Sequence, residues 1–332
     1  MVSPAHPMGK HHLPAQPVTC IGECLIDRLM APDSLTGTDY PGGAPANVAC
    51  ALVKLGRAAR FLGCIGQDVA GDTLIQRLQA IGVDCQGVQR SKAPTRQVIV
   101  KRNAMGERWF AGFSHSDPSG FADARLSSDW LQLHWSQATA GLVMGTLALA
   151  YPQSRAAMAQ AATLAQQHDV PIIIDINWRP MFWPNPAIAL EIIHDFLKQA
   201  TLLKWSQDDA QELLGTADPE VIARQFPQAK AVLVTAGAAG CTYVAWGQRG
   251  YQPAFAVPSQ DTTGAGDAFL AAFLCQLLER GWDSLKQPQQ VAAIVAYASA
   301  AGALATCQAG AIAAQPTAAE IAALLKASSP LQ

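Results

Sequence analysis

The sequence of 332 residues contains few charged side chains and no run of Lys and Arg. Charged residues make up 14% of the chain, and the formal net charge is −2 at pH 7. Proteins that bind nucleic acid usually present a basic patch to the phosphate backbone, so we expect no nucleic-acid partner. Hydrophobic residues, by contrast, make up 50% of the sequence. The chain can therefore bury a large core.

The eight cysteines are scattered and form no C-x-x-C pair. This spacing fits neither a zinc knuckle nor a secreted disulfide framework, and it favours reduced core cysteines. Residues 1–17 contain three histidines, four prolines and no apolar stretch, so they do not resemble a signal peptide. We expect residues 1–17 to form a disordered tail and the protein to be cytoplasmic.

Three glycine-containing motifs of common nucleotide-binding and hydrolytic enzymes are also absent. These are G-x-x-x-x-G-K-[ST], G-x-G-x-x-G and G-x-S-x-G. Their absence disfavours P-loop NTPases, dinucleotide-dependent dehydrogenases and α/β-hydrolases.

No charged residue occurs from Gln287 through Ala319, a segment long enough to span a bilayer. The segment is rich in Ala, however, and it is interrupted by Gly302, Gly310 and Pro316. This composition favours helices and loops packed inside a globular domain. We therefore expect no membrane association.

Short β-branched runs alternate with amphipathic helical segments along the chain. This alternation is typical of a mostly parallel sheet with helices on both faces, a fold that binds ligands at the carboxyl ends of its strands. The predicted strands are Val18 to Ile26, Arg60 to Ile65, Ala140 to Met144, Pro171 to Ile176, Thr201 to Lys204 and Ala231 to Val234. The predicted helices include Val69 to Ile81, Pro152 to His168 and Pro186 to Gln199.

Two regions interrupt this alternation. Residues 33–43 are polar and Gly-rich, while Thr95 to Lys101 and Arg108 to Phe113 flank a turn at 103–106, the pattern of an antiparallel hairpin. We predict a small β-sheet lid from segments near 33–43 and 93–115, although ordinary surface hairpins fit the pattern equally well. We expect one domain over 18–332, with a lid whose exposed strand edges invite a homodimer.

The strongest chemical signal lies where a glycine-rich turn meets a helix. Residues 260–267 precede a helix predicted over Ala268 to Arg280. Backbone N–H groups and the dipole at a helix start stabilise an anion, such as a transferring phosphoryl group. Beside that anion, Asp267 can accept the proton of an attacking alcohol, which is what a sugar kinase requires. A simple helix cap formed by Thr262 or Thr263 is the alternative.

Two segments resemble the sequence signatures of the ribokinase-like (PfkB) carbohydrate kinases. The C-terminal one is Asp-Thr-Thr-Gly-Ala-Gly-Asp-Ala-Phe (261–269), and the N-terminal one is Pro-Gly-Gly-Ala-Pro-Ala-Asn-Val-Ala (41–49). The resemblance extends from about Val18 to Thr317, and the form Gly-Gly-Ala-Pro-Ala-Asn is most similar to the fructokinases. It implies a ribokinase-like three-layer sandwich with a mostly parallel central sheet and a small β-sheet lid.

This resemblance implies an ATP-dependent sugar kinase that transfers the γ-phosphate to a primary hydroxyl, with D-fructose as substrate and fructose 6-phosphate as product. A 2-keto-3-deoxygluconate kinase, a ribokinase or a nucleoside kinase of the same fold stays open, as does a non-catalytic sugar-binding regulator. The resemblance also implies ATP and Mg²⁺ as cofactors, with K⁺ as a monovalent ion.

The resemblance assigns sugar hydroxyls to Asp27, Gly43 and Asn47. Asp27 is expected at the end of the first strand and Asn47 at the start of a helix that runs to Leu55. Carboxylate and amide groups suit this role because they form several hydrogen bonds with hydroxyls. Both residues also have structural alternatives, since an Asp can cap a turn and an Asn a helix start.

The resemblance also implies which residues act on the phosphoryl group. This catalytic set is Asp267, Gly264, Ala265, Gly266 and Arg179. Arg179 belongs to the segment Asp-Ile-Asn-Trp-Arg (175–179), and its planar fork of donors suits phosphate. The alternative is a surface arginine paired with Asp175.

The nucleotide and its ions are expected on the C-terminal side of the sheet. Nucleotide contacts are implied for Thr235, Gly237, Gly240, Gly264 and Gly266. Asp209 aligns with a family element that places Mg²⁺, and we expect it to act through water, because it is one methylene shorter than the usual Glu. Asp261 and Thr263 would lie at a monovalent-cation loop, and the loop 307–311 would lie against the adenine.

Overall fold

Most of the predicted strands join one eight-stranded sheet in the computed structural model, which describes residues 16–30, 36–102 and 108–328. The described strands are β1 (Val18–Ile21), β2 (Leu25–Met30), β3 (Gly37–Gly42), β4 (Ala59–Leu62), β5 (Cys64–Gly66), β6 (Gln89–Ser91), β7 (Gln97–Arg102), β8 (Arg108–Phe113), β9 (Gly141–Gly145), β10 (Ile172–Asp175), β11 (Leu202–Ser206), β12 (Ala231–Thr235), β13 (Cys241–Ala245) and β14 (Gln248–Gln252). The described helices are α1 (Ala44–Lys54), α2 (Val69–Ile81), α3 (Ser128–His134), α4 (Pro152–Gln167), α5 (Ala189–Leu197), α6 (Gln207–Leu214), α7 (Pro219–Gln225), α8 (Ala265–Arg280), α9 (Pro288–Ala305) and α10 (Ala318–Ser328). Residues 1–15 of the predicted tail and the hairpin turn at 103–106 lie outside the described residues.

The large sheet is mostly parallel, as the sequence predicts. Its order is β14-β13-β12-β11-β10-β9-β1-β4. Among the described strands of this sheet, β13 and β14 at one edge pair antiparallel and the others pair in parallel. The carboxyl ends of the parallel strands therefore meet along one edge, where a ligand site is expected.

Alternating strand side chains separate two apolar layers. In β10, Ile173 packs in one layer while Ile172 and Ile174 pack in the other. Helices α1, α2, α8, α9 and α10 contribute to the first layer, and α3 to α7 contribute to the second. Because successive strand residues point to opposite faces, one sheet supports both layers of helices. The predicted three-layer sandwich is confirmed.

A separate four-stranded sheet, in the order β3-β2-β7-β8, forms where the lid is predicted. Arg28 and Asp39 face each other across β2 and β3 and form two hydrogen bonds of 2.6 and 2.7 Å. The ring of Tyr40 packs against Gly310, since a Cβ placed on Gly310 would lie 3.0 Å from the Cδ1 of Tyr40. The small sheet therefore contacts the C-terminal loop of the main domain.

Two predicted strands are wrong in their extent. Val18 to Ile26 contains β1 and the start of β2, which belong to different sheets, and the chain turns between them at Gly22. Arg60 to Ile65 is divided in the same way into β4 and β5. Only residues 22–24 separate β1 from β2 and only Gly63 separates β4 from β5, and a short buried break cannot be distinguished from a continuous buried strand by composition alone.

Lys54 joins the end of α1 to the C-terminal part of the chain. Its Nζ donates hydrogen bonds to the carbonyl oxygens of Ile312, Ala313 and Gln315, each at 3.1 Å. The side-chain amide of Gln315 in turn donates to the carbonyl oxygen of Ala311 at 2.7 Å. These bonds hold residues 311–315 beside α1.

The uncharged segment 287–319 forms α9, a loop and the start of α10. No helix within the described part of the chain has the length and apolar character needed to cross a membrane. The eight cysteines are all free in the described structure, and six of them are buried.

Candidate active site

A cavity of about 610 Å³ lies between the carboxyl ends of the parallel strands and the lid. The predicted site residues in its wall are Asp27, Gly43, Asn47, Arg179, Asp209, Thr235, Asp261, Thr263, Gly264, Gly266 and Asp267. The lid adds largely apolar side chains to this wall, namely Leu29, Tyr40, Val98, Val100 and Phe110. Ala265, Gly237 and Gly240 do not line the cavity. The fold thus brings together most of the residues that the sequence singles out.

Asn47 and Asp267 bring the two signature segments into contact. Helix α8 begins at Ala265, three residues earlier than predicted, so Asp267 lies in its first turn. Helix α1 begins at Ala44, so Asn47 lies one turn inside this helix and not at its start. The Nδ2 of Asn47 donates a hydrogen bond of 2.8 Å to the Oδ2 of Asp267. This bond fixes the carboxylate in the cavity wall, where an alcohol can approach it.

The environment of Asp267 makes its carboxylate a stronger base. Its side chain is buried, and this burial raises the pKa of Asp267. The positive charge of Lys204, the hydrogen bond from Asn47 and the positive charge of Arg179 each oppose the rise. A carboxylate whose pKa is raised binds a proton more tightly, which suits a group that must take one from a hydroxyl.

Two glycines lie close to neighbouring groups around the start of α8. Gly264 has a φ of 80°, and a Cβ there would lie 2.8 Å from the Cα of Ala311. A Cβ on Gly266 would lie 2.6 Å from the Nζ of Lys204. A side chain at either position would displace these neighbours. The helix start in the cavity wall therefore consists of backbone, which is the arrangement that binds anions.

Lys204 is a site residue that the sequence reasoning missed. Its Nζ donates a hydrogen bond of 2.9 Å to the Oδ1 of Asp175, and both side chains are buried. Burial lowers the pKa of Lys204, but the charges of Asp175, Asp267 and Asp209, together with the hydrogen bond to Asp175, outweigh it and raise the pKa overall. The ammonium group therefore stays protonated against Gly266. The sequence feature that points to this role is a charged lysine within the otherwise apolar strand Leu-Leu-Lys-Trp.

Arg179 pairs with Asp209 and not with Asp175, so the alternative partner proposed for it is wrong. The Nη1 of Arg179 lies 3.3 Å from the Oδ1 of Asp209, and the arginine side chain is 52% exposed. The hydroxyl of Ser206 accepts a hydrogen bond from the N–H of Asp209 at 3.0 Å and caps α6. Asp209 thus lies at the start of α6 in the cavity wall, next to the solvent-exposed guanidinium of Arg179.

The predicted sugar-binding residues come from the lid and the main domain. Asp27 is the third residue of β2, so it lies in the lid sheet and not at the end of the first strand. Gly43 has a φ of 105°, and a Cβ there would lie 2.5 Å from the carbonyl oxygen of Glu23. Glycine permits both this conformation and this close approach. A lid carboxylate and the start of α1 therefore line one cavity.

Of the three residues predicted to contact the nucleotide at the end of β12, Thr235 is the last residue of the strand and alone lines the described cavity. Its hydroxyl donates to the carbonyl oxygen of Trp205 at 3.1 Å. Gly237 is exposed and Gly240 is buried, and both lie in the turn between β12 and β13. Their nucleotide contacts stay a prediction.

Asp261 connects the turn before α8 to the predicted adenine loop. Its Oδ1 accepts hydrogen bonds from the backbone N–H and the hydroxyl of Thr263, at 3.1 and 2.7 Å. Its Oδ2 accepts from the N–H of Gly310 at 3.2 Å. In the described residues, no group of three or more His, Cys, Asp or Glu side chains is arranged to hold a metal ion.

Comparisons with known proteins agree with this geometry. The family model of the pfkB family carbohydrate kinases matches residues 15–318. A probable fructokinase-5 from Arabidopsis thaliana is 34% identical over 324 residues, which cover 94% of this chain and 98% of the relative. The structure of fructokinase with bound ATP from Xylella fastidiosa has a TM-score of 0.87 and 28% identity, and the match covers 94% of this chain and 99% of that one.

A second solved relative is fructokinase from Vibrio cholerae O395. Its structure with fructose, ADP and calcium has a TM-score of 0.81 and 27% identity, and the match covers 94% of this chain and 99% of that one. A double mutant of fructokinase from the same organism contains fructose, ADP and potassium, with a TM-score of 0.82 and 27% identity over 94% of this chain and 98% of that one.

Proposed function

This chain belongs to the pfkB family of carbohydrate kinases, and from that premise we propose that it transfers the γ-phosphate of ATP to a primary hydroxyl of D-fructose, giving fructose 6-phosphate. The hydrogen bond between Asn47 and Asp267 carries the proposal, because it joins residues from both kinase signatures in one cavity. Fructokinases among the similar proteins support the choice of sugar.

In the proposed reaction, Asp267 accepts the proton of the attacking hydroxyl. The start of α8, the ammonium of Lys204 and the guanidinium of Arg179 stabilise the negative charge on the transferring phosphoryl group. Asp27 and Asn47 bind further hydroxyls of the sugar. The lid excludes water, which would otherwise compete with the sugar as phosphoryl acceptor.

ATP and a metal cation accompany this reaction, since similar kinases bind ATP, or ADP together with calcium or potassium. We propose Mg²⁺ as the divalent ion. Mg²⁺ commonly keeps several waters and binds phosphates plus one or two carboxylates, and Asp209 in the cavity wall fits a water-mediated contact. We propose K⁺ as the monovalent ion, at the loop of Asp261 and Thr263.

A sugar acid fits the cavity less well than a neutral sugar. Asp27 and Asp267 place two carboxylates in the wall, and a substrate carboxylate between them would be repelled. This arrangement favours fructose over 2-keto-3-deoxygluconate.

An ATP-consumption assay with a panel of sugars tests the proposal. We expect kcat/KM for fructose to exceed that for ribose, 2-keto-3-deoxygluconate and nucleosides by at least about tenfold, a difference of about 1.4 kcal/mol in transition-state binding. Phosphorus NMR of the product should show the phosphate on a primary carbon. Preference for another sugar would replace fructose as the substrate. Binding of sugars without any ATP consumption would instead support the non-catalytic regulator.

We also propose that the lid supplies a dimer interface. Strands β3 and β8 are the edges of the described lid sheet, and an exposed strand edge can pair with a second copy. Equilibrium sedimentation is expected to show a dimer at micromolar concentration. A Pro substitution at Asp39, whose backbone N–H faces away from β2, removes a backbone donor from the exposed edge of β3 and should shift the equilibrium towards monomer. A monomer at high micromolar concentration would contradict the proposal.

A further inference from the structure

Three buried side-chain oxygens of cavity-lining residues have no hydrogen-bond partner within the described structure. They are the Oε2 of Glu23, the Oδ1 of Asn177 and the Oδ1 of Asn47. The side chain of Asn47 already bonds Asp267 through its Nδ2, whereas Glu23 and Asn177 have no role so far; Glu23 as a whole is 2% exposed. A buried polar atom without a partner costs about 1–3 kcal/mol, so the unpaired oxygens of Glu23 and Asn177 are expected to acquire a partner when the cavity is filled.

Both residues are fixed in place through their other atoms. The Oε1 of Glu23 accepts a hydrogen bond of 3.1 Å from the backbone N–H of Ala44, the first residue of α1. The hydroxyl of Thr146 accepts from the N–H of Asn177 and donates to its carbonyl oxygen, each at 2.9 Å. Each residue is therefore anchored and keeps one side-chain oxygen unpaired.

The two unpaired atoms converge on the last residue of β9, Gly145. A Cβ on Gly145 would lie 2.8 Å from the Oδ1 of Asn177 and 3.8 Å from the Oε2 of Glu23. It would also lie 3.5 Å from the Cγ of Pro45, which closes the space with an apolar group. Both unpaired oxygens thus lie close to the backbone at Gly145, where a side chain would press against the Oδ1 of Asn177.

The protonation state of Glu23 defines which group fits. Burial raises the pKa of Glu23 to about 8, and the nearby charges of Asp123 and Asp267 add to this rise. At neutral pH the carboxyl is therefore mostly protonated and can donate a hydrogen bond. The Oδ1 of Asn177 can only accept one. A donor and an acceptor side by side match a single hydroxyl group, which accepts from the first and donates to the second.

We propose that Glu23 and Asn177 bind one hydroxyl of the sugar other than the hydroxyl that is phosphorylated, and so determine specificity. This inference rests on the proposed sugar kinase function. The group that Glu23 and Asn177 bind is therefore an uncharged hydroxyl of the substrate.

Steady-state kinetics with deoxy sugars test the assignment. Glu23→Ala and Asn177→Ala are each expected to lower kcat/KM for fructose about ten- to a hundredfold, mainly through a higher KM, because they remove binding that is present before the chemical step. The panel contains 1-deoxy-, 3-deoxy- and 4-deoxyfructose and 2,5-anhydromannitol, which lacks the anomeric hydroxyl. With one of these analogues, the same for both variants, the loss should shrink to less than about threefold.

Glu23→Gln is the conservative variant. Its amide can accept from the N–H of Ala44 and donate to the substrate hydroxyl, as the protonated carboxyl does, so its kcat/KM for fructose should exceed that of Glu23→Ala by about tenfold. A loss in Glu23→Gln as large as that in Glu23→Ala would contradict a neutral donor. Equal losses with every analogue would reduce Glu23 to a structural support of α1 and overturn the inference.

The two proposals can fail separately. If the unmodified enzyme prefers another sugar, the fructose assignment fails, and the same variants are tested on the deoxy analogues of that sugar. If the enzyme phosphorylates fructose, but the loss of kcat/KM in both variants is the same with fructose and with every deoxy analogue, the inference alone fails.

Discussion

Asp267→Asn is expected to lower kcat by about three orders of magnitude, within the range of 10²–10⁴ that general-base catalysis contributes. The amide keeps the size of the side chain, and its oxygen can still accept the hydrogen bond from Asn47. It cannot take a proton from the sugar hydroxyl. KM for fructose should therefore change little, and stopped-time ATP-consumption assays can measure the residual rate.

The pH dependence of this reaction provides a second measurement. Because burial raises the pKa of Asp267, kcat/KM should fall with decreasing pH at a pH above the usual range of aspartate, whose ordinary pKa is about 3.9. This fall of kcat/KM at low pH, the acidic limb of the profile, should be absent from Asp267→Asn. Asp72→Asn is a matched control, since it removes a carboxylate from the first turn of α2, outside the cavity wall. Full activity in Asp267→Asn would exclude this residue as the base.

Lys204→Met is expected to lower kcat/KM by about 10²–10³, the loss found when one preorganised group that stabilises transition-state charge is removed. Methionine fills a similar volume but carries no charge. Removal of the ammonium also removes the interaction that lowers the pKa of Asp267. The acidic limb of kcat/KM should therefore move to higher pH in this variant.

The stability of Lys204→Met must be separated from its activity. The substitution leaves the buried carboxylate of Asp175 without its partner, and such a loss destabilises a protein by about 3–5 kcal/mol. The double variant Lys204→Met with Asp175→Asn removes both charges and should recover much of the free energy of unfolding, measured by urea denaturation. Its kcat/KM should stay low. Recovery of activity to within tenfold of the unmodified enzyme would show that Lys204 is only a structural partner of Asp175.

The sequence predicts the parts of the site that combine a local pattern with chemistry. The turn before α8 is recognisable because glycines, a carboxylate and a segment with the apolar periodicity of a helix follow one another within a few residues. The sheet edge is predictable for the same reason, since Asp175 and Thr235 each end an apolar run. Both kinds of segment lie in the cavity as expected, because parallel strands end at a common edge.

Glu23 and Lys204 were not predictable in the same way. Glu23 follows Gly22 in what looks like one continuous strand, and only the division of that segment between two sheets places its side chain against the start of α1. The role of Lys204 depends on Asp175 and Gly266, which are remote in sequence. Contacts between distant segments are set by tertiary packing, and a single sequence carries no local pattern for them.

The hydrogen bond between Asn47 and Asp267 joins residues 220 positions apart, and the bond from Lys54 to Gln315 joins residues 261 positions apart. Contacts of such separation form late in folding, because the chain must first lose the entropy of closing a long loop. A ribosome releases the N-terminal segments first. The first signature therefore exists for most of synthesis without the second, and a nascent chain can acquire its base only after the strands between them have been made.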